Sequence, residues 1–388
     1  MTDQASPKIL RVLGFMTGTS LDAVDMAVIE TDGHDIIGFG PCGDMKLDAD
    51  TREAVEYAIE DAFDWERDEE EPESFDDARY AIADAHLAAA MGFMAMNGVK
   101  SSSLDLVGVH GQTVLHEAPT ANMSGRTVQL IDAISVADGL GLPVVHDFRT
   151  ADVVAGGQGA PLAPVYHAAL VRYSGLTGPV AVLNLGGVGN ITLVRANGDL
   201  EAFDTGPANG MVDQLVQSRL RKRMDDGGKS ALAGTVDAEV LREYLSHPYF
   251  AATGPKSLDR FDFSLDPVEH LKTEDAAATL TAFAAEAVAL GVARCNEQPK
   301  EVIVCGGGRH NPALMDAIRE RLPMPVTTAE DKGWRGDVIE AEAFAYLAAR
   351  SHLGLPISFP GTTGVASPMT GGSTVYPGDE PGSEPEDI

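Results

Sequence analysis

The chain has 388 residues, too many for one compact core, so two lobes are expected. Its 44% hydrophobic content marks a globular protein, and with aromatics at 6% the core must be built from Ala, Val and Leu. A formal net charge of −31 excludes nucleic acid and anionic membranes as partners, because their phosphates would be repelled.

Ile9 to Phe15 reads as a buried strand, Met16 to Leu21 as a small-residue loop, and Val24 to Glu30 as a second strand. Asp32-Gly33 is a hairpin signal, and Ile36 begins a third strand. Thr51 to Tyr80 is helix-like and acidic, interrupted by Pro72, and Ala81 to Asn97 is helical. Leu104 to Val109 is a strand ending in His110-Gly111-Gln112-Thr113, followed by a helix from Ile131 to Asp138 and a strand at Pro143 to Val145. That βαβ unit implies a parallel pair. Just past the strand come His146, Asp147 and Arg149, then Gly156, Gly157 and Gly159. A carboxylate, a guanidinium and a glycine turn at a strand's carboxyl end sketch an active site.

The second half repeats the first in architecture, without residue-level identity. Pro179 to Leu185, Ile191 to Ala196 and Leu200 to Phe203 are strands joined by Gly186-Gly187-Val188-Gly189-Asn190 and by Asn197-Gly198. Ala208 to Arg221 is a helix, Met224 to Gly234 a polar loop, and Val236 to Leu245 and Thr273 to Cys295 are helices flanking an irregular stretch. Glu301 to Val304 is a strand ending in Cys305-Gly306-Gly307-Gly308. Pro312 to Arg321 is a helix, Pro325 to Thr328 a strand, and Asp337 to Leu353 a helix. The division expected is 1–142 for the first lobe, with 360–377 of the tail returning to it, and 143–359 for the second. Residues 378–388 are expected to be disordered.

Four strand-to-glycine transitions, at Gly18, Gly186, Gly206 and Gly306, place backbone N–H groups where they could meet a polyphosphate. No GxxxxGK[ST] is present, and no GxGxxG opens a helix near the N-terminus. Two duplicated α/β lobes with hairpin phosphate loops point to the actin-like (ribonuclease H-like) ATPase fold, a duplicated mixed sheet flanked by helices. In that fold ATP sits between the lobes.

GTSLDAVD at Gly18 to Asp25, HGQTV at His110, DFRTADVVAGGQGAPLAP at Asp147, NLGGVGNIT at Asn184, DTGPAN at Asp204 and GDVIEAEAFAYLA at Gly336 together resemble the anhydro-N-acetylmuramic acid kinase family. The match runs from about Gly14 to about Gly372. Two departures stand out: Ala23 where the family commonly has Gly, and KSLDRF at Lys256 to Phe261. The resemblance implies an ATP- and Mg²⁺-dependent cytoplasmic homodimer. It would phosphorylate 1,6-anhydro-N-acetylmuramic acid to N-acetylmuramic acid 6-phosphate while opening the anhydro ring with water. Asp147 occupies the base position, and Arg149 orients it or meets the sugar. His110, Gln112 and Glu340 are substrate-side positions. Gly18, Thr19, Ser20, Leu21, Asp22, Ala23, Val24 and Asp25 form the first phosphate loop and Gly186, Gly187 and Asn190 the second. Asp204, Thr205, Gly206, Asn209, Gly307, Gly308 and Asn311 complete the nucleotide side. Asp22, Asp25 and Asp204 are candidates to hold hydrated Mg²⁺. A kinase of the same fold for another amino sugar, and an actin-like ATP-binding chaperone, are the competing readings. Cys42, Cys295 and Cys305 are too few and scattered for a disulfide framework, which fits a reducing cytosol. The N-terminus shows no signal peptide, and no stretch of about 18 uninterrupted apolar residues predicts a transmembrane helix.

Overall fold

A computed structural model describes residues 8–18, 21–120, 122–251 and 262–380. By internal contacts the chain divides into two units, Met1–Tyr173 with Val338–Ile388, and Ser174–Asp337.

The first unit carries a six-stranded sheet. Its strands are β1 (Leu10–Thr17), β2 (Ala23–Thr31), β3 (Ile36–Lys46), β4 (Leu106–Val109), β7 (Val144–His146) and β13 (Ser373–Val375), in the order β13-β7-β4-β1-β2-β3. β1, β2 and β3 form an antiparallel meander, β4 and β7 join in parallel, and β13 closes the edge antiparallel to β7. Helices α1 (Ala49–Asp64), α2 (Glu73–Asn97) and α3 (Ala133–Leu140) cover one face, with Phe15, Phe75, Ile82, Phe93 and Val136 in the core between. Asp48 caps α1 and Asp132 caps α3, each accepting an N–H from the first turn. α4 (Thr150–Val154) and α5 (Pro164–Tyr173) follow β7.

Helix α11 (Ile339–His352) lies on the sheet. Two glycines permit the approach. An added Cβ at Gly14 would strike the Ala341 carbonyl oxygen, and one at Gly108 would strike that of Phe344. α11 is Ala-rich and buried along most of its length, as a helix pressed onto backbone must be.

The second unit carries a five-stranded sheet in the order β10-β9-β8-β11-β12. The strands are β8 (Val180–Leu185), β9 (Val188–Val194), β10 (Leu200–Pro207), β11 (Glu301–Cys305) and β12 (Val326–Thr328). Again the first three are an antiparallel meander and the last two join in parallel. Both sheets therefore share one order, 3-2-1-4-5, and one pattern of directions, the duplicated ribonuclease H-like arrangement. α6 (Asn209–Leu220), α7 (Lys229–Ala233), α8 (Ala238–Leu245), α9 (Thr273–Arg294) and α10 (Pro312–Arg321) complete this unit. Among the described residues α9 is the one helix long and apolar enough to cross a membrane, but 78% of that window is buried inside the fold. It is the unit's central core helix.

The structure corrects the sequence reading in places. The boundary between units is not at 142/143: β7 hydrogen-bonds to β4, and α5 and α11 belong with the first sheet. The β4–β7 pairing is the one the βαβ pattern implied; what the sequence did not show is that α5 and α11 belong with that sheet. A hairpin of β5 (Gln112–Glu117) and β6 (Arg126–Leu130) and the helix α5 were not expected. Met224 to Gly234 is not simply a loop, since it contains α7. Of the expected disordered tail, 381–388 lies outside the described residues.

Candidate functional site

Asp147 follows the last residue of β7 and has φ +50°. Among the described residues only Leu21, Asp147 and Arg221 combine a side chain with positive φ. Arg221 is an ordinary helix C-cap. Leu21 closes the turn after β1, where its N–H donates to the Gly18 carbonyl at 3.1 Å, and its side chain is buried in the core. Unusual backbone of this kind concentrates at working sites. Asp147 Oδ1 accepts the Thr150 N–H at 3.3 Å, and among the described residues no donor reaches Oδ2.

Arg149 is gripped on both sides. Its Nη1 donates to the Gly159 carbonyl at 2.8 Å, and its Nε and Nη2 reach His110 Nε2 at 3.1 and 3.0 Å. His110 Nδ1 lies 2.8 Å from the Gly111 carbonyl, to which it must donate. The Nδ1–H tautomer is thereby fixed, and Nε2 is left as the acceptor for Arg149. Burial, with the Arg149 charge, pushes His110 down to about 3, so the ring is neutral. Burial also lowers Arg149, to about 10, against the opposing charges of Glu340 and Asp152. Glu340 sits in the first turn of α11, reaching solvent. Packed protein around it raises its carboxyl and Arg149 counters. The His110 ring packs on Phe344 of the same helix, with centroids 4.6 Å apart. Gln112 is 1% exposed, and its Oε1 has no partner among the described residues.

The structure thus brings His110, Asp147, Arg149 and Glu340 into one neighbourhood and holds Gly18, Leu21 and Asp22 between β1 and β2. Ala23, Val24 and Asp25 are the first residues of β2 rather than loop, and Val24 is a core residue. Leu21 and Val24 can offer a ligand only backbone. Ala23 needs no positive φ, being in a strand. Thr19, Ser20 and the KSLDRF stretch lie outside the described residues. Beneath the turn, His86 Nε2 lies 3.5 Å from Thr17 Oγ1, and burial lowers His86 to about 4.

In the second unit, strand register lines up Asp204, Asn190, Asn184 and Cys305 across four strands. Directly paired residues share a face, so this is a polar row on the sheet. The carbonyls of Gly186 and Gly187 accept the N–H groups of Asn209, Ala208 and Gly210 at 2.9–3.1 Å. The glycine loop is thereby tied to the start of α6, and these helix-terminal donors are spent on the loop. Thr205 Oγ1 donates to the Gly189 carbonyl at 3.0 Å, so its hydroxyl serves the strand bulge. Gly206 packs beneath, against Ala287 of α9. Asn311 caps α10, its Oδ1 accepting the Leu314 N–H at 3.3 Å. Gly308 packs between Leu185 and Asn209, whereas Gly307 is exposed with open space before it.

Arg309 was not singled out from sequence. Its buried guanidinium donates Nη1 to the Gly306 carbonyl at 2.9 Å and Nε to Glu330 at 3.0 Å, and Nη2 lies 2.7 Å from Asp337. Burial raises the Glu330 and Asp337 carboxyls, but Arg309 outweighs it and both lie below their usual range. Arg309 thus braces the glycine turn after β11.

Asp22 and Asp25 belong to the first unit and Asp204 to the second. Among the described residues no three His, Cys, Asp or Glu side chains cluster as a metal cage. Asp22, Asp25 and Asp204 offer carboxylate oxygens, the donor type that suits a hydrated hard cation such as Mg²⁺, which keeps water and phosphate in its shell.

Residues 10–377 match the profile described as anhydro-N-acetylmuramic acid kinase. The anhydro-N-acetylmuramic acid kinase of Caulobacter vibrioides is 62% identical over 366 residues, covering 94% of this chain and 99% of that protein. The protein of the same name from Phenylobacterium zucineum is 61% identical over 368 residues, covering 95% and 100%. A solved glucokinase of Streptomyces griseus, in complex with glucose and AMPPNP, aligns over 88% of this chain and 99% of its own, with 15% identity and a TM-score of 0.40.

Proposed function

The chain belongs to the anhydro-N-acetylmuramic acid kinase family, and from that premise we propose how its own residues carry out the reaction. The reaction is ATP plus 1,6-anhydro-N-acetylmuramic acid plus water, giving ADP and N-acetylmuramic acid 6-phosphate. The sugar has no free 6-hydroxyl, because O6 is bonded to C1. One general base solves the problem. Asp147 removes a proton from water, the water oxygen bonds to C1, the C1–O6 bond breaks, and O6 takes the γ-phosphoryl group.

The observation that carries this reading is Asp147 itself. It is a carboxylate held at positive φ on a strand end, with one oxygen engaged by a backbone N–H and the other without a donor among the described residues. A general base at such a position is worth about 10²–10⁴-fold. Arg149, charged at neutral pH and fixed by Gly159 and His110, orients the sugar or steadies Asp147. Gln112 Oε1, without a partner among the described residues, is an acceptor suited to a sugar hydroxyl or amide N–H. Glu340 completes the sugar side. Backbone at Gly186, Gly187 and Gly307 in the second unit is suited to meet the phosphates, and the turn at Gly18 offers backbone of the same kind in the first. Mg²⁺ bound with the nucleotide would supply charge neutralisation on the phosphates, and Asp22 and Asp25 of the first unit, or Asp204 of the second, would hold it through water. The reading extends to a cytoplasmic homodimer, and a monomer mass in light scattering would remove the dimer.

The test is ADP release from Mg-ATP with and without the anhydro sugar. Sugar-dependent release, lost by about 10²-fold or more in Asp147→Asn, is expected. Release without sugar stimulation would sink the reading and favour a nucleotide-gated binding protein.

A further inference from the structure

Asp152 is 1% exposed and Thr363 is 0% exposed, and the chemistry above uses neither. Asp152 Oδ1 accepts the Gly159 N–H at 2.6 Å, and its Oδ2 accepts the Thr363 hydroxyl at 2.5 Å. The Thr363 carbonyl accepts the Gln158 N–H at 2.7 Å. The glycine turn is shaped around this carboxylate. An added Cβ at Gly157 would strike Asp152 Oδ1, and Gly159 has φ +69°. The Gly159 carbonyl is in turn the acceptor for Arg149 Nη1, and Arg149 ends on His110. A continuous series of hydrogen bonds therefore runs from residue 363 to the guanidinium.

We propose that Asp152 and Thr363 are a positioning pair that sets the orientation of Arg149, so that the segment after α11 helps shape the sugar side of the site. This rests on the reading that Arg149 serves the sugar side. A guanidinium presents a rigid planar fork, so its aim depends on where its acceptors lie. Gly159 supplies one acceptor, and the Asp152–Thr363 pair fixes Gly159.

The experiment compares Thr363→Val, which keeps the shape and removes the hydroxyl, with Thr363→Ser, which keeps the hydroxyl. Misplacement of about 1 Å costs on the order of 10²-fold in rate. Thr363→Val should lose that much in kcat/KM for the sugar with the KM for ATP unchanged, and Thr363→Ser should stay near wild type. In an Arg149→Lys background the Val substitution should cost less than about twofold more, because residues acting as a unit are not additive. Additive losses, an equal rise in the KM for ATP, or a Ser variant as impaired as Val would each overturn the proposal. Should the Val variant fail to fold, Thr363→Cys, which replaces the hydroxyl with a weakly donating thiol, must show the same pattern. Wild type without sugar-dependent turnover would sink the preceding function instead. The pair is then judged on ¹⁵N-histidine spectra of the full chain without ligands. A His110 Nε2 signal that shifts in Thr363→Val supports it, and an unchanged signal overturns it.

Discussion

Replacing His110 by Gln removes a titratable ring and keeps an acceptor within reach of Arg149. Burial lowers His110 from 6.5 to about 3, so the folded protein holds it neutral while the unfolded chain protonates it below 6.5. The stability this neutral ring contributes is present above pH 6.5 and is lost as the pH falls from 6.5 toward 3. At pH 5 the unfolded chain gains about RT ln(1 + 10^1.5), or about 2 kcal/mol, from this one group. The figure depends on the unfolded value and barely on the folded one, provided the latter is well below 5. The assay is urea unfolding of wild type and His110→Gln at pH 7.5 and 5.0. Comparison with the variant cancels the other titrations, including relief of repulsion in a chain of net charge −31. Wild type should lose about 2 kcal/mol more than the variant on acidification. Parallel losses would refute the buried neutral ring, and with it the tautomer that presents Nε2 to Arg149. His86 and His167, each lowered to about 4 by burial, lie in the same unit. The three together amount to about 6 kcal/mol at pH 5, comparable to the whole stability of many domains.

The remaining predictions concern separate parts of the molecule. His110→Phe keeps the ring contact with Phe344 but offers Arg149 no acceptor, so kcat/KM for the sugar should fall about tenfold or more below that of His110→Gln in steady-state kinetics. Gly14→Ala forces α11 away from β1 and should destabilise the first unit by about 1–3 kcal/mol in urea unfolding. Arg309→Met removes the brace on the Gly306 carbonyl, and the Kd for ATP should rise about tenfold in calorimetry while the KM for the sugar stays put. An unchanged Kd would mean that the turn after β11 does not serve the nucleotide.

The repeated meander was legible because hydrophobic runs bounded by Asp32-Gly33 and Asn197-Gly198 encode hairpins locally. What escaped was non-local. The βαβ pattern did signal that β7 pairs with β4, but nothing in the sequence showed that α5 and α11 join the same unit, and the boundary was drawn before β7. The polar strands β5 and β6, with Gln112, Thr113, Thr127 and Gln129, lack the apolar alternation that marks a half-buried hairpin. For the site, Asp147 and Arg149 were visible as charges beside glycines at a strand end. Arg309, next to Gly308, was not singled out because nothing in its local sequence signals burial. Its burial depends on Glu330 and Asp337, brought in from beyond α10. Thr363 lay in a Gly/Thr/Ser-rich tail with no periodicity, and only the folded chain sets it against Asp152.

The central claim is that water attacks carbon while O6 attacks phosphorus. Turnover of 1,6-anhydro-N-acetylmuramic acid with Mg-ATP in ¹⁸O-water, with prompt quenching and mass analysis of the product, tests it most directly. One ¹⁸O is expected at the C1 hydroxyl of the sugar phosphate and none in its phosphoryl group. Label in the phosphoryl group or in free phosphate, with C1 unlabelled, would mean that water attacks phosphorus, and the role given to Asp147 would fall.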